Sequence, residues 1–277
     1  MEQGEQGVLK RSRVLSAIVV IMACLGLNVV STTEARPLEQ LVIAVSPSLR
    51  PVLMELALAF EATHPDVQVR LYYDSGFDLR RTIAAMENNP SGQYFIGKGP
   101  IHLVAPGGDE LLTRLEQKYY ILPGTRRAYA RERLVLVVPE QLVEAPASFA
   151  DITRMVKRLA VADPDRTVLG QQTRSLLDSL GFPGRVDVAT DARGVLDHLL
   201  SGQADAGVIF GHDAVKEQER VRVVAVAENG YAPTVHSMAM ERYCPNRKLC
   251  DEFLAFVQSA KAQIVVKGLG YAAPDGY

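Results

Sequence analysis

Apolar residues after position 40 follow two different spacings. Continuous apolar runs such as "LVIAV" (41–45) and "RLVLVVP" (133–139) predict buried strands, and "VQVRLYY" (67–73) alternates as a half-buried strand does. Segments with apolar positions three and four residues apart, such as 51–61 and 169–180, predict amphipathic helices. Strands and helices take turns along the chain, which predicts an α/β fold of two doubly wound lobes with mostly parallel sheets.

The same spacing rules predict the remaining elements. Further strands are expected at 101–106, 158–164, 185–189, 204–211, 220–227 and 236–241, and further helices at 78–89, 108–118, 192–202 and 248–266. An open parallel sheet binds ligands outside the carboxyl ends of its strands. The turns that follow strands are therefore the places to look for a site: 46–49, 74–77, 163–170, 190–194 and 210–214.

The N-terminus has the layout of a secretory signal peptide. A basic stretch (10–13) precedes an apolar run (14–30), and Thr33 and Ala35 then occupy the small-residue positions before a cleavage site. We expect residues 1–35 to direct the chain to the periplasm. The alternative is an uncleaved membrane anchor, although the apolar run is shorter than the roughly 20 residues that span a bilayer.

Composition limits the class of protein. The chain has 277 residues, enough for one large α/β domain or two small ones, and 48% of them are apolar. A formal net charge of -2 provides no basic surface for nucleic acid, and the aromatic residues are scattered and include no Trp. We expect no nucleic-acid partner.

Cysteine usage fits export. Loss of the signal peptide removes Cys24, at which lipid tethering is an alternative, and leaves Cys244 and Cys250 in "CPNRKLC". An even pair in an oxidising compartment predicts a local disulfide. Two separate thiols are the alternative, with one of them packed on the helix that begins near Lys248.

The turn "SPSL" suits either a helix cap or an anion. Ser46 fits the N-cap and Pro47 the first helical position, which leaves the hydroxyl of Ser48 to face solvent or to donate to a ligand. A helix start exposes unpaired N–H groups and a partial positive charge, which attract anions. In "DSGF", Gly76 permits close approach of the backbone beside the hydroxyl of Ser75, or simply forms a turn.

No enzyme motif is present. The sequence contains no G-x-S-x-G, phosphate-binding loop or G-x-G-x-x-G pattern. The five histidines (64, 102, 198, 212 and 236) are dispersed and lack metal-ligand spacing. No set of residues converges on a reaction, so we expect a protein that is not an enzyme and holds no cofactor.

Several motifs together resemble the periplasmic molybdate-binding proteins of ABC transporters. They are "AVSPSL", "DSGFDLRRTI", "RLAVADPDRTVLGQQTRSLLDSLG" and "GQADAGVIFGHDAV", within a resemblance that covers about 41–271. The resemblance implies a type II periplasmic binding protein with two lobes and a ligand held between them. The expected lobes are residues 38–131 plus 240–277, and residues 132–239, joined by hinge strands.

The resemblance also implies a set of binding residues. Ser48 matches a liganding serine, and the other matching positions are Ser75, Gly76, Leu169, Ala192 and Phe210. Leu169 and Ala192 would act through backbone N–H groups. Gly76 stands where the family has a second serine and Phe210 where it usually has a tyrosine, so two hydroxyl donors are missing, and His102 stands where an aspartate is common.

The function implied by the resemblance is capture of molybdate or tungstate, bound as an oxyanion without a protein-held metal. We expect an exported monomer that delivers its ligand to an ABC permease. The alternative is a two-lobe ligand sensor or interaction module that has lost molybdate binding, and Gly76 and Phe210 motivate it.

Overall fold

A computed structural model describes residues 38–73, 95–96 and 99–274. The predicted signal peptide (1–35), the predicted helix at 78–89, and the candidate site residues Ser75 and Gly76 lie outside the described residues. The chain from Leu38 onward forms one compact unit. In the part of the chain that the structure describes, no helix has both the length and the apolar character needed to cross a bilayer.

The described elements alternate in type along most of the chain. The strands are β1 (Glu39–Val45), β2 (Val67–Tyr73), β3 (Phe95–Ile96), β4 (Gly99–Pro100), β5 (Leu103–Ala105), β6 (Arg127–Arg131), β7 (Leu134–Pro139), β8 (Arg158–Ala162), β9 (Arg185–Ala189), β10 (Ala206–Phe210), β11 (Val221–Val226) and β12 (Val235–Met240). The α-helices are α1 (Arg50–Glu61), α2 (Asp109–Gln117), α3 (Ile152–Met155), α4 (Val168–Leu180), α5 (Ala192–Leu200), α6 (Gly211–Lys216), α7 (Arg247–Val257) and α8 (Ala260–Gly268), and a 3-10 helix (Pro47–Leu49) precedes α1.

The first sheet has the strand order β2-β1-β5-β12-β6. Strand β1 pairs in parallel with β2 and with β5, whereas β12 runs antiparallel to β5 and β6. Residues 41–45 are buried without interruption, as a central strand requires, and helices α1, α7 and α8 belong to the same core. The rings of Phe60 (α1) and Phe253 (α7) meet edge to face at 5.0 Å within that core.

The second sheet has the strand order β11-β7-β10-β8-β9. Strands β10, β8 and β9 are parallel neighbours, and β7 runs antiparallel to β10 and β11. Residues 134–138 of β7 are buried throughout, and α4 and α5 contribute their apolar faces to the same core. The two sheets with their flanking helices confirm the predicted two-lobe α/β fold.

Both sheets are mixed, but in each of them four of the five strands run in one direction and a single strand runs against the others, which agrees with the expectation of mostly parallel sheets. The antiparallel partners are β7 and β12, which follow the two places where the chain passes from one sheet to the other. Strand β12 (Val235–Met240) lies in the first sheet, although the predicted boundary assigns most of its residues to the second lobe. The division into 38–131 plus 240–277 and 132–239 stays a prediction.

Most predicted elements agree with the structure to within a few residues, whereas the short elements β3, β4, α3 and α6 were not predicted and two longer elements differ clearly. The single helix predicted at 248–266 is two helices, because Ser259 starts α8 by accepting a hydrogen bond from the N–H of Ala262. Strand β6, with the sequence "RAYAR", was not anticipated. Its arginines interrupt the apolar pattern, and only Tyr129 and Ala130 are buried.

Candidate functional site

The serine turn lies at the carboxyl end of the first sheet. The N–H of Ser46, directly after β1, donates to the carbonyl oxygen of Ala105 at the end of β5 (3.0 Å). Ser46 and Pro47 occupy the predicted N-cap and first helical positions of the 3-10 helix, but the Ser46 hydroxyl makes no capping bond. It lies instead 3.1 Å from the hydroxyl of Ser48, which is exposed. Both hydroxyls are therefore available at the mouth of this turn.

Gly107, which has no side chain, brings its backbone close to Ser46 and Ser48. It follows β5 with φ of +75°, a conformation that favours glycine. A Cβ atom at this position would lie 3.0 Å from Cβ of Ser46 and 3.6 Å from Oγ of Ser48. Gly107 was not among the predicted site residues, although two glycines shortly after a strand, in "APGGDE", indicate a close approach of the backbone.

A chain of contacts leads from this loop to the second lobe. A Cβ on Gly108 would lie 4.0 Å from Cγ2 of Thr234, which directly precedes β12. The hydroxyl of Thr234 accepts a hydrogen bond from Nε2 of Gln172 on α4 (2.9 Å). Gln172 is buried, and its Oε1 has no hydrogen-bond partner in the protein. The loop after β5 and the first turns of α4 thus face a common region.

Helix α4 starts at the carboxyl end of β8. The side chain of Thr167 caps it by accepting from the N–H of Gly170 (2.9 Å). A Cβ on Gly170 would lie 2.4 Å from the carbonyl carbon of Asp163, so glycine is needed for this close approach of helix to strand. The N–H of Leu169 is not used by the cap, and amides in the first turn have no partner within their own helix.

Helix α5 starts in the same way after β9. Asp191 accepts from the N–H of Gly194 (3.0 Å), which leaves the N–H of Ala192 outside the capping bond. The neighbouring Arg193 lies 3.5 Å from a carboxylate oxygen of Asp197 and 3.8 Å from one of Glu217. The guanidinium group of Arg193 therefore pairs with the carboxylates of Asp197 and Glu217.

Phe210 is the N-cap residue of α6, at the end of β10, and makes no side-chain cap. Its ring is partly buried and stacks on the ring of His212, with centroids 5.8 Å apart. A phenyl ring provides no donor for an anion. The structure places Phe210 where a hydroxyl-bearing ring would be close to a helix start, but the residue itself supplies only apolar surface.

The structure groups three of the predicted site residues. Leu169 and Ala192 come after β8 and β9, and Phe210 is the last residue of β10. These three strands are adjacent and parallel, so the three residues lie along one edge of the second sheet. Ser48 follows β1 in the first sheet, and the contacts of Gly108, Thr234 and Gln172 run between the two groups. His102 is buried at the other end of β5, where its Nδ1 accepts from the N–H of Val42 (3.2 Å).

The electrostatics of these helix starts are those of an anion site built from neutral donors. Each supplies N–H groups and the positive end of a helix dipole, and Ser46 and Ser48 add hydroxyls. Among the described residues, no group of three or more His, Cys, Asp or Glu side chains is arranged to hold a metal ion.

These features define a two-lobed α/β protein with a candidate binding site at the carboxyl ends of strands in both sheets. The family model "Bacterial extracellular solute-binding protein" matches residues 41–272. The chain belongs to this family, and it is a binding protein and not an enzyme, which confirms that expectation.

Individual relatives extend this result. The molybdate-binding protein ModA of Mycobacterium tuberculosis is 24% identical over 266 residues, which cover 94% of this chain and 96% of that protein. The substrate binding domain of a candidate molybdenum ABC transporter from Clostridium difficile aligns with a TM-score of 0.74 and 19% identity, over 85% of this chain and 99% of that one. The iron-bound protein HitA of Pseudomonas aeruginosa aligns with a TM-score of 0.55 and 14% identity, over 86% and 88%. The predicted family resemblance is confirmed.

Proposed function

We propose that this chain is an exported solute-binding protein that captures a tetrahedral oxyanion, molybdate or tungstate, and delivers it to an ABC importer. The observation that carries the proposal is the set of helix starts at the carboxyl ends of both sheets, with the hydroxyls of Ser46 and Ser48 3.1 Å apart beside one of them. The name of the ModA relative, which matches 94% of the chain, supports molybdate as the ligand.

The number of available donors is sufficient for useful affinity. Each hydrogen bond to a charged group contributes about 1.5–3 kcal/mol, and a micromolar dissociation constant requires about 8 kcal/mol. Ser48, Leu169 and Ala192 supply one donor each, with the Ser46 hydroxyl beside them. Gly76 and Ser75 are further proposed ligands, and they lie outside the described residues.

Isothermal titration calorimetry tests the proposal. We expect heat and thermal stabilisation with molybdate and tungstate, and weaker or no response with sulfate and phosphate. Stabilisation should rise with free ligand as RT ln(1 + [L]/Kd). Ferric iron is included because an iron-bound protein shares the fold. A response to ferric iron alone would indicate that the ligand is a metal ion and not an oxyanion. No response to any of the four anions or to ferric iron would contradict both kinds of ligand capture.

Replacement of Ser48 by alanine tests its proposed role. If its hydroxyl donates to the anion, Ser48→Ala should weaken binding by about 1–3 kcal/mol, roughly 5- to 150-fold in Kd. Ser175→Ala is the matched control, because Ser175 is exposed on α4 and its hydroxyl bonds only to the carbonyl oxygen of Gln171. An unchanged Kd for Ser48→Ala would leave the serine with a structural role in the turn.

The second candidate function is a ligand sensor or interaction module that no longer binds molybdate. Phe210 favours it, because the ring brings no donor to the start of α6 and stacks on His212 instead. Uptake of molybdate by cells that lack the chain separates the two functions. Restoration by the wild-type chain and not by Ser48→Ala would support transport, whereas no effect of the chain on uptake would favour the second function. For transport we further propose that the chain acts as a monomer in the periplasm.

A further inference from the structure

Two exposed tyrosines lie at the end of the first lobe opposite the candidate anion site. Strand β12 runs antiparallel to β5 and ends where β5 begins, so the turn after β12 lies at the amino ends of β1 and β5. The N–H of Arg242 in that turn donates to the carbonyl oxygen of Tyr120 (3.0 Å), in the segment after α2. Tyr119 and Tyr243 flank this bond, one in each segment, and both are exposed.

The two segments, 118–127 and 242–248, are rich in positive charge, and together we call them the basal surface. They contain six Lys or Arg residues and no Asp or Glu. Arg126 lies 2.6 Å and Lys248 lies 3.8 Å from a carboxylate oxygen of another residue. The other four cations pair with no carboxylate in the part of the chain that the structure describes: Lys118, Arg127, Arg242 and Arg247.

Backbone hydrogen bonds hold the turn after β12 in place. The N–H of Cys244 donates to the carbonyl oxygen of Glu241, and the N–H of Cys250 donates to that of Asn246, each at 3.1 Å. The predicted disulfide between Cys244 and Cys250 is not formed in the structure, which has both residues as buried thiols. The shape of the basal surface therefore does not depend on a bridge.

The backbone at Tyr119 indicates that its side chain has a role on this surface. Tyr119 follows Lys118, the C-cap of α2, and has φ of +60°. Glycine is the usual residue at this position of a helix end, because the left-handed conformation strains a residue that has a Cβ atom. A side chain that is 64% exposed gains little from packing in return. The strain therefore favours a role outside the fold itself.

The chain enters the first lobe at the same end. Strand β1 begins at Glu39, whose carboxylate accepts a hydrogen bond from Nδ2 of Asn246 in the turn after β12. The apolar run 14–30 is joined to Leu38 by residues 31–37, a connection that spans at most about 29 Å when fully extended. A chain held in a bilayer by this run therefore has its basal surface, and not its anion site, near the membrane.

We propose that the basal surface docks on the anionic phospholipid surface of a membrane, with the apolar run 14–30 as the tether in the chain that retains it. Each Lys or Arg close to an anionic membrane strengthens binding by about fivefold. Tyrosine suits the headgroup level, because its ring is apolar and its hydroxyl is polar. The candidate anion site lies at the opposite end of the first lobe, so it stays open to solutes while the chain is docked.

The absence of tryptophan from the sequence allows a direct test, because a single introduced Trp reports its own surroundings. Tyr243→Trp places the reporter on the basal surface. Tyr72→Trp is the matched control, since Tyr72 is exposed to the same degree (41% against 42%) but lies near the carboxyl end of β2. Each full chain is reconstituted in vesicles of phosphatidylcholine alone or of an equal mixture with phosphatidylglycerol.

We expect the emission of the Tyr243→Trp chain to shift to shorter wavelength, and to be quenched by brominated lipid, in the vesicles with phosphatidylglycerol. The Tyr72→Trp chain should show neither effect in either type of vesicle. Equal emission and quenching of the two reporters would overturn the proposal. Quenching of Tyr243→Trp that is as strong in phosphatidylcholine alone would also overturn it, because the tether and not the charge would then bring the surface to the lipid.

Removal of charge tests the contribution of the cations. In the Tyr243→Trp background, Arg242→Gln/Arg247→Gln should lower the docking equilibrium constant by roughly 25-fold, from about fivefold for each cation. High salt should have a similar effect. Lys157→Gln/Arg185→Gln is the control, because it removes two exposed cations from the second lobe. An equal loss in the control would contradict the assignment of docking to the basal surface.

Tyr119→Gly separates docking from folding. Glycine suits φ of +60°, so the variant should have an unchanged or higher Tm, while the quenching of a Tyr243→Trp reporter falls. Undiminished quenching would contradict the role assigned to Tyr119. A lower Tm would show that the tyrosine stabilises the fold, and would contradict the interpretation of its strained backbone.

Discussion

Nδ1 of His212 lies 2.9 Å from Oε2 of Glu132, and this contact ties helix α6 to the chain crossing between β6 and β7. The other oxygen of Glu132 lies 3.0 Å from Nε2 of His236 at the start of β12, next to the second crossing. The ring of Tyr271 stacks on that of His212, with centroids 5.0 Å apart and planes 7° apart. One buried carboxylate therefore connects both crossings to the second lobe.

The charge of Glu132 should stabilise the fold at neutral pH. Burial alone would raise the pKa of Glu132, but hydrogen bonds from His212 and His236 and their charge lower it from 4.5 to about 2. Because the pKa is lower in the folded state, this stabilisation is complete above pH 4.5 and is lost as pH falls toward 2. The shift corresponds to about 3 kcal/mol.

Glu132→Gln should accordingly lower the free energy of unfolding at pH 7 and flatten its decline between pH 4.5 and 2. Urea denaturation at a series of pH values measures both effects. Glu140→Gln is the matched control, because Glu140 is an exposed glutamate just after β7. A Glu132→Gln variant with the acid dependence of the wild-type chain would show that the carboxylate is not held as described.

Ionisation of Glu241, in contrast to that of Glu132, should destabilise the fold. It is buried at the end of β12, its Oε1 has no hydrogen-bond partner, and burial raises its pKa from 4.5 to about 8. The N–H of Tyr243, 2.6 Å from Oε2, offsets only part of this shift. The folded state therefore holds the proton more tightly, and stability falls as pH rises from 4.5 to 8.

Glu241→Gln removes this titration and keeps an acceptor for the N–H of Tyr243. Relative to the wild-type chain, the variant should gain stability between pH 5 and pH 9, by an amount on the order of 4 kcal/mol. Tm measured on reduced protein across this range is the appropriate readout, since the Cys244 thiol also contributes to the shift. A stability difference that does not change with pH would contradict the protonated state of Glu241.

Gly211 should be intolerant of substitution. A Cβ atom at this position would lie 2.2 Å from the carbonyl oxygen of Gly270 and 2.9 Å from Nε of Arg133, which itself donates to that oxygen (2.8 Å). Backbone atoms cannot move aside as a flexible side chain does, so Gly211→Ala should lower the free energy of unfolding by about 1–3 kcal/mol. Gly268→Ala is the control.

Gly268 ends α8 and has no heavy atom within 4 Å of an added Cβ. Alanine there should be neutral or stabilise the helix by up to about 1 kcal/mol. Thermal unfolding of the two variants compares the sites directly. Similar Tm values would mean that the close approach of α6 to the segment after α8 does not limit packing.

The sequence predicts local elements well where one pattern dominates. Strand β2 has the predicted bounds, 67–73, because alternation and flanking turn residues agree. The break at Ser259 was missed, since apolar spacing continues across it while a single side chain caps the second helix. Strand β6 was missed because its burial comes from pairing with β12 and not from its own composition.

The contacts between distant parts of the chain, including those near the candidate site, are harder to predict. Glu132 meets residues 80 and 104 positions away, and the bond between Gln172 and Thr234 spans 62 positions. No periodicity encodes such pairs. Resemblance to a family supplied the residues at the turns, whereas Gly107 and its contact with Ser46 emerged only from the structure.

Phe210→Tyr tests whether the start of α6 takes part in anion binding. The phenyl ring already lies at the N-cap of α6, so the added hydroxyl needs no change of backbone. If it reaches the anion, the new hydrogen bond should contribute about 1.5 kcal/mol, roughly a tenfold lower Kd for molybdate by calorimetry. The double variant Ser48→Ala/Phe210→Tyr is informative, because recovery of part of the lost affinity would place both hydroxyls on one ligand. No gain in either background would contradict a role for position 210 in anion binding.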